Sequence, residues 1–91
     1  MKTVQGRALI KEKEHNGKQY KIETVEYDIS PDDRFCEVIC EVSVKMKFIW
    51  FWITIWRENI TYTSFDNIDD YNDEVQYNII KAEDIITALT F

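Results

Sequence analysis

The chain has 91 residues, of which 45% are hydrophobic and 31% are charged, with two glycines and one proline. This length supports one domain with a single thin core, and the composition excludes the disordered and low-complexity classes of protein. The first ten residues lack the apolar segment of a secretory signal, and no apolar run reaches the ~20 residues of a membrane-spanning helix. We therefore expect one cytoplasmic domain over residues 1–91 that makes no contact with a membrane.

The formal net charge of −6 is unevenly distributed along the chain. Residues 58–91 contain eight Asp or Glu and one Lys, whereas residues 1–57 contain nine acidic and ten basic residues. An acidic surface of this kind repels nucleic acid and attracts basic protein surfaces. The charge pattern thus predicts a protein partner and no direct contact with nucleic acid.

The first predicted element is a β-hairpin. Asn16-Gly17 is a strong signal for a two-residue turn, because both residues tolerate the positive φ that such a turn requires. The turn opposes His15 to Lys18 and sets the register of the two strands. Apolar residues near the turn and farther from it then fall on opposite faces, so we expect either a bulge near Thr24 or a separate cover for one set.

The second predicted element is a half-buried strand that follows the turn at Pro31. Apolar and polar residues alternate from 36 to 44, which is typical of a strand with one wet face. Cys36 and Cys40 would lie about 13 Å apart on this strand, too far for a disulfide bond. We therefore expect two reduced and buried thiols, as in cytosolic proteins.

The alternation is lost in the segment "KFIWFWITIW", residues 47–56, where both faces of the strand become apolar. An unbroken strand over residues 35–58 would span about 80 Å, too long for a domain of this size. We therefore expect a bend or a tight connection near Lys45–Lys47. The pattern places Trp50, Trp52 and Trp56 on one face. It places Phe51, Ile53 and Ile55 on the other, with one set under a helix and one against a second chain or a folded-over strand.

The last third of the chain predicts one more strand, over "ITYTSF", and then a helix at about residues 70–89. Asp69 or Asp70 is the expected cap of this helix. The fold class is therefore α+β: an antiparallel sheet of four to five strands, with an N-terminal hairpin and long bent central strands, packed on one C-terminal helix. A stripe of apolar residues at helical spacing supports the helix: Tyr71, Val75, Ile79, Ala82, Ile86 and Leu89.

The sequence lacks the residues of a catalytic site. His15 is the single histidine, neither cysteine has an evident base, and two separated glycines cannot form a phosphate-binding loop. The acidic segment "DNIDDYNDE" lacks the glycine of a calcium loop and is better explained by an acidic first helical turn. We expect no enzymatic activity, no cofactor and no metal site.

Two functional hypotheses remain, and both predict protein contacts. In the first, the protein is a small acidic binding module, in its sharper form a phage or mobile-element inhibitor of a basic nucleic-acid-handling protein. The competing explanation is that its acidic face is only a solvated surface with no role in binding. That face comprises Asp66, Asp69, Asp70, Asp73 and Glu74.

In the second hypothesis, the protein is a homo-oligomeric structural or assembly subunit, most simply a dimer, that associates through the aromatic strand 47–56. Its interface or core residues are Trp50, Phe51, Trp52, Ile53, Ile55 and Trp56. A small apolar ligand held between sheet and helix is a third possibility.

Overall fold

The structure, a computed structural model, describes residues 3–32 and 34–89. Four strands precede one helix: β1 (Thr3–His15), β2 (Lys18–Asp28), β3 (Glu37–Phe48), β4 (Phe51–Thr63) and α1 (Ile68–Ala88). The strands form one antiparallel sheet in the order β1-β2-β3-β4, so that each strand pairs with its neighbour in the chain. The predicted α+β fold, with an antiparallel sheet packed on a C-terminal helix, is confirmed with four strands.

The β1–β2 hairpin turns at Asn16-Gly17, as predicted. Asn16 has a φ of 52° and Gly17 a φ of 77°, and His15 pairs with Lys18. Of the two alternatives predicted for this hairpin, the bulge occurs, but it lies on β1 and not at Thr24 itself. The extra residues are Gln5 and Ile10 on β1, and Ile10 lies opposite Ile22 and Glu23, whereas β2 pairs with β3 without a break. β2 therefore keeps Tyr20 and Ile22 on the face that packs against the core, and the irregular pairing is confined to the edge strand β1.

The β3–β4 connection differs from the prediction. The chain does not bend at Lys45–Lys47, because β3 continues to Phe48 and a tight turn follows at Ile49-Trp50. Neither turn residue is Gly, Asn, Asp or Pro, which are the residues that usually reveal a turn in a sequence. Because β3 and β4 lie side by side, residues 35–58 avoid the length of one unbroken strand, which would be too long for this domain.

The helix begins at Ile68, two residues before the predicted start. Its cap is Asn67 and not Asp69 or Asp70: the Asn67 side chain accepts a hydrogen bond of 2.8 Å from the backbone N–H of Asp69. The two aspartates instead occupy the first turn, where carboxylates complement the positive end of the helix dipole. All six residues of the predicted apolar stripe lie in the core or pack against it.

The core lies between α1 and one face of β2, β3 and β4. β1 contributes no residue to it, and most of its residues are exposed. The prediction of two buried cysteines is half right, because Cys40 is in the core but Cys36 is exposed; both are free thiols. The core cluster comprises Tyr20, Ile22, Cys40, Val42, Val44 and Ile60 from the sheet, with Tyr71, Ile79, Ala82 and Ile86 from the helix. Val25, Ser43 and Asn78 are also buried.

Candidate interaction surfaces

The molecule has two chemically different ends, and its longest dimension is 48 Å. Because the sheet is an antiparallel meander, both hairpin turns lie at the same end, and Gly17 and Ile49 line one shallow recess there. β4 runs away from this end and leads into the start of α1. The aromatic turn and the acidic start of the helix are therefore far apart.

The aromatic tip, defined as Phe48, Ile49, Trp50 and Phe51, is the most exposed apolar feature of the sheet. Trp50 is 81% exposed and Ile49 is 72% exposed. The Phe51 ring centroid lies 5.5 Å from that of Phe48 and 5.4 Å from that of Trp50, both edge-on. These ring contacts hold the tip in one arrangement in which large apolar side chains face solvent.

Ile49 carries backbone strain at the apex of this tip. Its φ is 58°, in the left-handed region. A side chain with a Cβ pays about 1–2 kcal/mol there, and a β-branched residue is especially rare. Glycine or asparagine would form the same turn at lower cost. Strain of this kind concentrates at sites where function selects the side chain.

The predicted division of the tryptophans between the two faces is wrong. Val44 pairs with Trp56 but Lys45 pairs with Thr54, so Ile55 is an extra residue in β4. Such a bulge moves every residue beyond it to the other face. Trp56 consequently packs against the core beneath α1, whereas Trp52 lies on the face that the helix leaves open.

The same bulge determines on which face of the sheet the other predicted interface residues lie. Ile53 pairs with Met46 and shares its face, on the helix side of the sheet. Phe51 is on that side too, and the two side chains are partly exposed near the tip, Phe51 at 39% and Ile53 at 38%. Ile55 is half-buried and packs against the core. The structure therefore brings Trp50, Phe51 and Ile53 together at one end but separates Trp52 from them.

The open face of the sheet is closed by charged side chains and not by a second apolar layer. Glu23 Oε1 lies 3.3 Å from Lys21 Nζ and 3.2 Å from Lys45 Nζ. Lys21 Nζ also lies 4.4 Å from the centroid of the Trp52 ring. The alkyl stems of such residues cover apolar surface while their charges stay near water. The prediction that this part of the strand is apolar on both faces is therefore wrong, since Trp52 is followed there by Thr54.

The acidic end lies at the start of α1 and in the turn before it. All five predicted carboxylates are exposed. Asp66 also has a local role, because its carboxylate accepts hydrogen bonds from Thr63 N at 2.8 Å and Thr63 Oγ1 at 3.1 Å. In the described part of the chain no ion pair involves any of the five.

In the described part of the chain, no other arrangement of side chains indicates chemistry. Within residues 3–32 and 34–89, no three His, Cys, Asp or Glu side chains are grouped as a metal site, and no helix has the length and hydropathy needed to cross a membrane. His15 contacts the end of α1. Burial raises the pKa of the Cys40 thiol, which disfavours the nucleophilic thiolate.

No family model, curated protein or solved structure matches the chain. The side chains themselves are therefore the basis for inferring function. The sequence patterns did not identify Phe48, Ile49 and Phe65 as exposed surface residues. One signal for the first two was present, namely two aromatic residues, Phe48 and Phe51, placed symmetrically around a two-residue turn.

Proposed function

We propose that the protein is a non-enzymatic, cytoplasmic binding module that acts through protein contacts and associates with a second copy of itself through the aromatic strand 47–56. The observation that supports this function is the aromatic tip. Its apex holds a tryptophan that is 81% exposed and an isoleucine with a φ of 58°. A monomer gains nothing from either feature, whereas an interface gains a large rigid apolar anchor.

Self-association also explains why the tip is apolar when its surroundings are charged. Lys47 precedes the tip, and Glu14 and Lys18 of the neighbouring hairpin line a recess together with Ile49. A patch of apolar residues rimmed by polar ones is the common form of a protein interface. Aromatic side chains are enriched at such interfaces because they bury much area with few rotatable bonds.

The experiment is light scattering on the wild type and on Trp50→Ala. We expect the wild type to be dimeric at about 100 µM and the variant to dissociate at least about tenfold more readily. Ile80→Ala is the matched control, because Ile80 is also exposed and apolar, at 59%, but lies on α1. A wild type that is monomeric at this concentration contradicts the proposal.

The acidic end supports a second candidate function, the binding of a basic protein that handles nucleic acid, as an inhibitor encoded by a phage or mobile element would do. The supporting observation is that Asp69, Asp70, Asp73 and Glu74 are exposed, with no ion pair to any described residue. Closely spaced carboxylates attract a basic groove over long range, and salt screens that attraction.

The second candidate is tested by neutralising the acidic end with Asp→Asn and Glu→Gln changes at those four positions. A control variant neutralises four exposed carboxylates elsewhere, at Glu12, Glu14, Glu58 and Asp84, and so has the same net charge. The candidate predicts that a basic, salt-released partner from the host binds the wild type and the control but not the first variant. If both variants bound the partner equally well, the acidic end would contribute only to solubility.

A further inference from the structure

We infer that two copies join along the outer edge of β4 in antiparallel orientation, so that Trp50 of each copy lies beside Phe65 of the other and the two α1 helices run side by side. This arrangement rests on the proposed self-association and specifies its geometry.

The sheet offers two unpaired edges within the described residues, and the edge of β4 is the better suited to pairing. β1 has register shifts at Gln5 and at Ile10, and residues 11–14 are all charged. Bulges and charged runs are the devices by which proteins prevent an edge from pairing. β4 is 13 residues long with a single bulge at Ile55, and its half-buried Ile55 and Trp56 lie beside the open edge. β4 also exposes Arg57, Glu58 and Asn59 near its middle, so the smaller number of register shifts is what makes its outer edge the better suited of the two.

The two most exposed aromatic side chains in the described structure flank β4. Trp50, in the turn before the strand, is 81% exposed, and Phe65, in the turn after it, is 86% exposed. Phe65 contacts the ring of Phe35 at 5.6 Å but otherwise faces solvent. A two-fold axis near the middle of β4 places the start of one strand beside the end of the other. Antiparallel pairing thus covers all four exposed rings of a dimer, whereas contact between two tips covers only the tryptophans.

The helix lies close enough to the β4 edge to take part in the same interface. The Tyr71 ring centroid lies 5.2 Å from that of Tyr62 on β4, so α1 begins near this edge. Its later turns lie over β2 and β3 as well, because Glu83 pairs with Lys11 and the end of the helix meets His15. With strands about 4.8 Å apart, a helix so placed lies on the order of 15 Å from its two-fold mate, a gap that long side chains on the facing sides of the two helices can bridge. A two-fold axis perpendicular to the sheet keeps both helices on the same face and makes them antiparallel.

The helix side that faces this edge carries complementary charges. Glu74 and Asp70 share a recess with Thr61 of β4, which fixes their direction. Lys81 follows Glu74 by seven residues and so lies on the same side of the helix, two turns later. Lys81 is the single basic residue of residues 58–91. In an antiparallel pair, Lys81 of one helix approaches Glu74 of the other, and the contact occurs twice.

The test is a pair of charge reversals, Glu74→Lys and Lys81→Glu. Each variant alone creates two repulsive contacts in its own dimer and should weaken association about tenfold. An equimolar mixture of the two variants restores both attractive contacts and should associate as tightly as the wild type, as a heterodimer seen by native mass spectrometry. Gln76→Lys is the control, because residue 76 is exposed and lies on nearly the opposite side of the helix from Glu74.

The outcomes separate the arrangement from the proposed function. A mixture that associates no better than the single variants overturns the arrangement, and so does a wild-type dimer that neither reversal affects. Phe65→Ala gives an independent reading, because antiparallel pairing predicts that it weakens the dimer as Trp50→Ala does, whereas contact between tips predicts no effect. A wild type that remains monomeric overturns the self-association itself.

Discussion

The Nε2 atom of His15, at the end of β1, lies 2.8 Å from the carbonyl oxygen of Leu89, the residue that caps the end of α1. Asn16 Nδ2 donates a second hydrogen bond to the same oxygen at 3.2 Å. The last carbonyl groups of a helix have no partner within the helix, and the last turn of α1 contains no basic residue. Residues of the first hairpin turn therefore act as hydrogen-bond partners for the carbonyl group at the end of α1.

His15→Ala should lower the free energy of unfolding by about 1 kcal/mol, the usual contribution of one hydrogen bond. Urea denaturation monitored by circular dichroism measures the change. Asn16→Gly is the matched variant, since it removes the longer hydrogen bond but keeps a residue that adopts positive φ. It should cost less than His15→Ala. Equal stability of His15→Ala and the wild type would show that the helix end is held by packing alone.

The two tryptophans on opposite faces of β4 should differ in their contribution to stability. Trp56 packs against the core opposite Val44, so Trp56→Ala should cost about 3 kcal/mol, the lower end of the range for such truncations. Trp52 lies on the open face beneath Lys21, and Trp52→Ala should cost about 1 kcal/mol, largely from the lost cation–π contact. Denaturation curves of the two variants provide the comparison. Equal losses would mean that the open face is as well packed as the core.

The same two residues show which parts of the fold the sequence predicts. The Asn16-Gly17 turn and the helix stripe were predicted correctly because each depends on residues near in the chain. The change of apolar face along the first hairpin indicated an irregularity but not that Ile10 is the extra residue. The bulge at Ile55 has no signal in the sequence, and one extra residue reverses the faces of everything beyond it. The assignment of Trp52 and Trp56 to a common face failed for that reason.

The two candidate surfaces show the same distinction. The acidic end is contiguous in sequence, so its exposure and its place at the helix start followed from the helix prediction. The aromatic tip depends on a turn at Ile49-Trp50 that no turn residue indicates. The exposure of Phe65 depends on how β4 ends relative to β3, which is a tertiary relationship.

The stability contributed by Glu23 should depend on pH. Burial opposes its ionisation, but hydrogen bonds and charges from Lys45 and Lys21 outweigh this effect and hold the pKa of Glu23 below its ordinary value of 4.5. A carboxylate whose pKa is lower in the folded state stabilises the fold above its unfolded-state pKa, and the contribution disappears as the pH falls through the folded-state pKa. Ionised Glu23 should therefore stabilise the protein at pH 7 and lose that effect in acid.

Glu23→Gln should be about 1 kcal/mol less stable than the wild type at pH 7, and the difference should shrink as the pH falls below 4.5, the ordinary pKa of a glutamate. The comparison with the variant at each pH removes the effect of the other carboxyl groups. Glu12→Gln, at an exposed position of β1, is the control and should follow the wild type throughout. A difference that does not change with pH would show that the substitution destabilises the fold through the shape of the new side chain and not through the lost charge.

Ile49 should be a residue that weakens the single chain while strengthening its association. At a φ of 58°, replacement by Gly relieves about 1–2 kcal/mol of strain, offset in part by the greater freedom of Gly in the unfolded state. We expect Ile49→Gly to raise the free energy of unfolding by about 1 kcal/mol when measured at concentrations where the chain is monomeric. The same change removes apolar surface from the tip, so the dimer should dissociate more readily in sedimentation or light-scattering measurements.

Two further variants separate strain from side-chain contact at this position. Ile49→Asn tolerates positive φ and should also stabilise the monomer, whereas Ile49→Val keeps the branched Cβ and should leave its stability unchanged. Because Ile49 is 72% exposed, its side chain has little packing to lose in the monomer. A loss of stability in Ile49→Gly and Ile49→Asn would show that the isoleucine packs within its own chain. Packing within the chain, and not contact with a second copy, would then explain why the turn contains isoleucine.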